Sequence, residues 1–179
     1  MVGSLAEDGG DLKSCHRLGE KVNRNCSSIG VALTSCTIPA AGKTTFDISE
    51  SDIEFGVGIH GEPGRKREKI RNADSIVEDM LQVIYKDFED KNLALNASSE
   101  VLLLINGFNS TPLSELYLLY NAAKKLLNNK QIVIARSLVG NYTTALDMAG
   151  ASITICLLDN EIKKHWDASV LTPNLRWGV

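Results

Sequence analysis

The continuous apolar run Val101-Leu102-Leu103-Leu104-Ile105 constrains this chain more than any other stretch. A strand of successive large aliphatics has no polar face to give to water, so it must be covered on both sides. The run stops at Asn106-Gly107-Phe108-Asn109-Ser110, and Thr111-Pro112-Leu113-Ser114-Glu115 then opens a helix. In this reading Thr111 is the cap, and Pro112 stands in the first turn, where a missing N–H costs nothing. Leu113, Leu116, Tyr117, Tyr120, Ala123, Leu126 and Leu127 recur at helical spacing and read as a buried stripe, and Lys124, Lys125 and Lys130 sit towards the negative end. A strand over residues 131–140 follows, and residues 151–158 read as another, largely apolar strand. Buried strands alternating with amphipathic helices predict an α/β layered domain, with a sheet covered by helices.

The first half of the chain makes that sheet mixed. Asp11 caps a helix that runs to about Asn25, and residues 28–34 read as a strand. Phe46 and Ile48 alternate with polar residues like a short strand. Phe55, Val57 and Ile59 alternate in the same way. The connections between these strands are too short for crossover helices, so part of the sheet is expected to be antiparallel. A helix over residues 72–88, capped by Asn72 or Asp74, buries Ile76, Met80, Val83, Ile84 and Phe88. A final short helix over 161–168 starts at Asp159 or Asn160 and turns Trp166 inward. The basic run Arg65 to Arg71 reads as a solvated loop, or as a face towards an anionic substrate or a partner subunit. Residues 1–10 are polar and glycine-ended and read as a tail or linker remnant, leaving 11–179 as the domain.

Charge and composition exclude several functions. The net charge is −3, with no basic excess to attract nucleic acid or an anionic membrane. No apolar run approaches the roughly 18 residues of a membrane span. The N-terminus has no apolar leader core, which makes a cytoplasmic setting the expectation. Cys15, Cys26, Cys36 and Cys156 include no CxxC pair and read as buried free thiols of a reducing compartment, with disulfides or a zinc site as the lesser alternatives.

The chemistry is expected at Glu54-Phe55-Gly56-Val57-Gly58-Ile59-His60-Gly61-Glu62-Pro63-Gly64. Four glycines within residues 56–64 strip side chains from around His60, so backbone and small ligands approach it closely. The plainer alternative is a surface turn with an incidental histidine. His16 reads as an exposed helix residue and His165 as partly packed. Gly42-Lys43-Thr44 invites comparison with a phosphate-binding loop. The required glycine is replaced by Thr37, and no apolar helix follows, so nucleotide binding there is rejected.

Gly30 to Lys43, the block Gly56-Val57-Gly58-Ile59-His60-Gly61-Glu62-Pro63-Gly64, residues 111–117, Leu146-Asp147-Met148 and the ending Leu175-Arg176-Trp177-Gly178 together resemble the substrate-binding, K-type subunit of dihydroxyacetone (glycerone) kinases. The order and spacing agree from about Gly3 to Val179, and they resemble only the C-terminal half of that subunit. The resemblance implies that His60 anchors dihydroxyacetone covalently as a hemiaminal, with Gly58 and Gly61 in the substrate site. It further implies phosphorylation to dihydroxyacetone phosphate, with the catalytic base on a missing N-terminal half, so that this chain alone is inactive. No cofactor or metal is expected on this chain. ATP or ADP with magnesium belongs, on the same grounds, to a nucleotide-binding L-type partner subunit or domain, in a glycerol-metabolism or phosphotransferase-system setting. A homodimer is implied for the full-length protein. The runner-up is a non-catalytic paralogue that senses dihydroxyacetone as a transcriptional coactivator; a third reading is a structural domain in which His60 is inert.

Overall fold

A computed structural model describes residues 1–59, 62 and 64–178. In chain order the elements are α1 (Val2–Glu7), α2 (Leu12–Arg24), β1 (Cys26–Ala32), β2 (Thr37–Ile38), β3 (Lys43–Thr44), β4 (Asp52–Phe55), β5 (Lys66–Lys69), α3 (Ala73–Asp90), β6 (Glu100–Gly107), α4 (Leu113–Asn129), β7 (Val133–Gly140), β8 (Gly150–Leu157), α5 (Asn160–Trp166), β9 (Val170–Leu171) and β10 (Arg176–Trp177). Six strands make one sheet in the order β5-β4-β1-β8-β6-β7. Among the described residues only β6 and β7 pair in parallel, through the α4 crossover, and the remaining pairs of this sheet are antiparallel. The mixed, helix-covered α/β sheet expected from the apolar runs is what forms.

Period-two alternation sorts the two faces. Ile29, Val31, Leu103, Ile105, Ile153 and Ile155 point to one side and pack under α3 and α4, against Met80, Ile84, Phe88, Leu116 and Leu127. On the other side one end of the sheet is closed by α5, where Leu102, Cys156, Leu158 and Ile162 cluster with Trp166. The caps follow from the sequence: Asp11, Asn72 and Asp159 each accept a hydrogen bond from an amide three residues on.

Several sequence expectations are corrected. Residues 1–10, expected as a tail or linker remnant, contain a helix: Val2–Glu7 form α1, whose Ser4 hydroxyl lies 3.0 Å from Nδ1 of His165. His165 is buried rather than partly packed. The basic run does not stay a loop. Lys66–Lys69 are an edge strand because each basic side chain facing β4 finds an acid: Lys69 reaches Asp52 at 2.7 Å, and Arg67 reaches the buried Glu54 at 2.9 Å. Phe46 and Ile48 form no strand; Lys43-Thr44 pair with Thr37-Ile38 instead, around a turn at Gly42 with φ of 61°. The strand read through Ile59 ends at Phe55, because Gly56 takes φ of 82° and turns the chain. Thr111 caps nothing. Its hydroxyl accepts from the Gly150 amide and donates to the Gly150 carbonyl, both at 2.8 Å, and Pro112 is the residue at the helix start.

Candidate functional site

The face of the sheet that α5 leaves open carries small and hydroxylated residues. Ser28 and Gly30 on β1, Ser152 and Thr154 on β8, and Leu104 and Asn106 on β6 are the alternates of the buried isoleucines. Register aligns them into two rows, Ser28–Thr154–Leu104 and Gly30–Ser152–Asn106. The Ser28 and Thr154 hydroxyls meet at 2.6 Å. Asn106 is buried and fully bonded: its amide donates to the Thr143 carbonyl, and its oxygen accepts from the Tyr142 and Thr143 amides at 2.9 and 2.8 Å. One side chain thus clamps the loop after β7 to the end of β6.

The segment after β4 lies over this floor. A Cβ on Gly30 would stand 2.7 Å from the Val57 carbonyl oxygen and 2.8 Å from the Phe108 ring, so the segment rests on the sheet only because residue 30 is glycine. A Cβ on Gly58 would stand 2.2 Å from the Glu62 carboxylate. Between segment and floor is a cleft of about 470 Å³, bordered by Gly58, Ile59, Glu62 and Arg65 above, with Ser28, Asn106, Ser152 and Thr154 below. One cation, one carboxylate and neutral hydroxyls together suit a small, neutral, polyhydroxylated ligand better than a large apolar one.

The neighbouring loops are tied to one another by side-chain bonds to backbone. Thr34 Oγ1 accepts from the Ala149 amide, the Ser110 hydroxyl donates to the Asp147 carbonyl, and the Asn109 amide donates to the Leu146 carbonyl, each at 2.8 Å. Asp147 accepts from the Thr37 amide at 2.6 Å, which holds its carboxyl below the ordinary aspartate range.

Of the three site residues expected from sequence, Gly58 borders the cleft, while His60 and Gly61 lie outside the described residues. His16 is exposed on α2, and neither it nor His165 borders the cleft. Sequence reading missed the floor. Its only signal was the alternation Ser28-Ile29-Gly30-Val31 and Ser152-Ile153-Thr154-Ile155, which becomes a site only once β1 and β8 are paired. Among the described residues no group of three or more His, Cys, Asp or Glu is placed to hold a metal ion. No helix among them is long and apolar enough to cross a membrane.

Residues 1–174 match the Dak1 domain. The chain is 39% identical, over 197 residues, to the dihydroxyacetone-binding subunit DhaK of the PEP-dependent dihydroxyacetone kinase of Escherichia coli, covering 99% of this chain and 55% of that protein. It is 41% identical over 170 residues to the DhaK subunit of the PTS-dependent dihydroxyacetone kinase 2 of Listeria innocua, covering 95% of this chain and 50% of that one. Among solved structures it superposes on the dihydroxyacetone kinase operon co-activator Dha-DhaQ with a TM-score of 0.84 at 29% identity, over 94% of this chain and 51% of the other. The chain therefore spans about half the length of the curated relatives it matches. These matches correct the reading of the chain as the C-terminal half of a K-type subunit: the matched unit is the Dak1 domain, the N-terminal part of DhaK-type subunits. Nearly all the motif blocks lie inside the matched span and mark the domain itself, so they carried no information about which half it is.

Proposed function

The chain belongs to the Dak1 domain family, and on that premise we propose that it binds dihydroxyacetone in the cleft between the segment after β4 and the hydroxyl-lined sheet. The observation that carries the proposal is the cleft itself: neutral hydroxyls form its floor, and the immediate sequence neighbours of His60 form its upper border. His60 is the covalent anchor. An imidazole nitrogen forms a bond to the carbonyl carbon, the carbon–oxygen π bond breaks, and the oxygen takes the proton released by the ring. The product is a hemiaminal, so carbonyl compounds are held and glycerol, with no electrophilic carbon, is not. Gly58 and Gly61 keep the approach to His60 clear. The floor hydroxyls pair with the two hydroxyls of the ligand.

In this reading residues 11–179 form the functional domain. The bound ketose is phosphorylated to dihydroxyacetone phosphate by a nucleotide-binding L-type partner, which carries ATP or ADP with magnesium in a cytoplasmic kinase whose full-length subunit is a homodimer. The names of the Escherichia coli and Listeria innocua relatives, dihydroxyacetone-binding subunits of dihydroxyacetone kinases, support the ligand and the kinase reaction. The superposition on the Dha-DhaQ co-activator favours a second reading, a dihydroxyacetone-sensing coactivator of transcription. Both readings share the ligand and differ in the partner.

Carbon NMR with carbonyl-labelled dihydroxyacetone tests the shared part. A bound signal displaced from the ketone region to that of a tetrahedral carbon, and absent in His60→Ala, is the expected result. A bound ketone signal unchanged by the substitution would refute the anchor. Co-purification with a nucleotide-binding subunit or with a transcription factor then separates kinase from coactivator.

A further inference from the structure

We propose that Cys26 and Cys156 are a modification site: a cross-strand thiol pair that peroxides convert to an intramolecular disulfide. The two cysteines are 130 positions apart in sequence yet directly opposed in the β1–β8 register. The Leu157 amide donates to the Asn25 carbonyl at 2.8 Å, which makes Asn25 and Leu157 a hydrogen-bonded pair. Hydrogen-bonded and non-hydrogen-bonded pairs alternate along antiparallel strands, so Cys26 and Cys156 are a non-hydrogen-bonded pair. Such pairs hold their Cα atoms about 4.5 Å apart with side chains on one face, inside the range that disulfides span. The next pair on the same face, Ser28 and Thr154, has the same parity, and its oxygens touch at 2.6 Å. All four cysteines are free thiols.

The two sulfurs are unequal. Cys156 is buried, whereas Cys26 is partly exposed. A hydrogen bond from the Cys156 thiol and the charge of Lys91 lower the Cys26 thiol below its ordinary range. Lys91 is fixed there by bonds to the Cys26 carbonyl at 2.8 Å and to Asp87 at 2.6 Å. On the other side the hydrogen bond to Cys26, burial and the Asp159 carboxylate raise the Cys156 thiol. Cys26 is thus the attacking group and Cys156 the resolving one. The Cys26 thiolate attacks one oxygen of the peroxide, the O–O bond breaks, and hydroxide leaves, giving a sulfenic acid. The Cys156 sulfur then attacks the Cys26 sulfur and loses its proton. The S–O bond breaks, and water departs. Two thiols are oxidised by two electrons, and one peroxide is reduced. The disulfide would join β1 to β8 one row from the Ser28–Thr154 floor of the cleft.

The test uses the full chain carrying Cys36→Ser, so that the tryptic peptide from Asn25 to Lys43 holds Cys26 as its only thiol. The protein is treated with hydrogen peroxide, alkylated without reduction, digested and analysed by mass spectrometry. The expected product joins that peptide to the one beginning at Ser137, lighter by two hydrogens than the sum. It forms while Cys15 is still alkylatable, and reductant separates the two. The melting temperature rises on oxidation, and the rise is absent in Cys26→Ser. The proposal is overturned if both cysteines remain alkylatable at peroxide doses that consume Cys15. It is equally overturned if Cys26 accumulates as an oxygenated acid beside a free Cys156.

Discussion

Gly30 shows how one residue sets the height of the cleft. It sits in the middle of β1, where glycine ordinarily weakens a strand. Its absent side chain is the space in which the Val57 carbonyl and the Phe108 ring come down on the sheet. The carbonyl belongs to the backbone and has no rotamer by which to yield, so Gly30→Ala must lift the segment that leads to Gly58. The substitution should cost about 1–3 kcal/mol by overpacking. It should also weaken dihydroxyacetone binding by more than stability alone predicts. Urea unfolding and ligand titration of the same variant check the two parts, and an unperturbed midpoint would show that the segment is free to move. Asn106 does the complementary job at the other side of the floor, where its buried side-chain oxygen accepts from the Tyr142 and Thr143 amides.

At the scale of elements, legibility followed the source of each element's stability. β6, β8, α3 and α4 were readable because burial of a long apolar run or stripe stabilises them, and that pattern is written locally. β5 was not. Lys66–Lys69 have no apolar pattern, and the strand exists through acid–base pairs with residues of β4 that only the fold brings opposite. Thr111 was misread for the same reason, since its hydroxyl serves Gly150, far along the chain, rather than its own helix. Charge also fastens α5 to α2. Arg17 approaches Glu161 at 2.5 Å and Lys21 approaches it at 2.7 Å, and together they hold its carboxyl at about 2, against an ordinary 4.5. A carboxyl depressed on folding contributes stability above its unfolded value and loses that contribution as the pH falls through the folded one. The clamp should therefore weaken between about pH 4.5 and about pH 2. Melting temperatures measured across that window should fall less steeply for Glu161→Gln than for the parent. Parallel curves would mean that the two cations contribute nothing to stability.

The whole molecule is a sheet with one face packed under α3 and α4 and the other divided between a closed end and an open one. The division explains why the glycine-rich segment was legible as a site while its floor was not. Glycine density announces itself in a few consecutive residues, whereas a row of Ser28, Thr154 and Ser152 looks like any solvated strand face until pairing assembles it over a cleft. The closed end rests on α5, and α5 in turn rests on α1. The Ser4 hydroxyl meets His165, which is only 4% exposed, and Met1 packs with Trp166 beside the buried Leu102 and Ile162. If residues 1–10 were an independent tail, deleting them would leave stability unchanged. Their removal instead takes a hydrogen-bond partner from a buried imidazole and opens one side of the apolar cluster to water. The loss should be about 1–2 kcal/mol, or roughly 2–8 °C in the melting temperature of a chain of this length. Calorimetry of the chain starting at Asp11 measures it. Among the described residues none of α1 borders the cleft, so dihydroxyacetone affinity should stay within about twofold at temperatures well below the transition. An equal melting temperature would place the start of the stable domain at Asp11; a lowered one with unchanged affinity makes α1 part of the fold and not of the site.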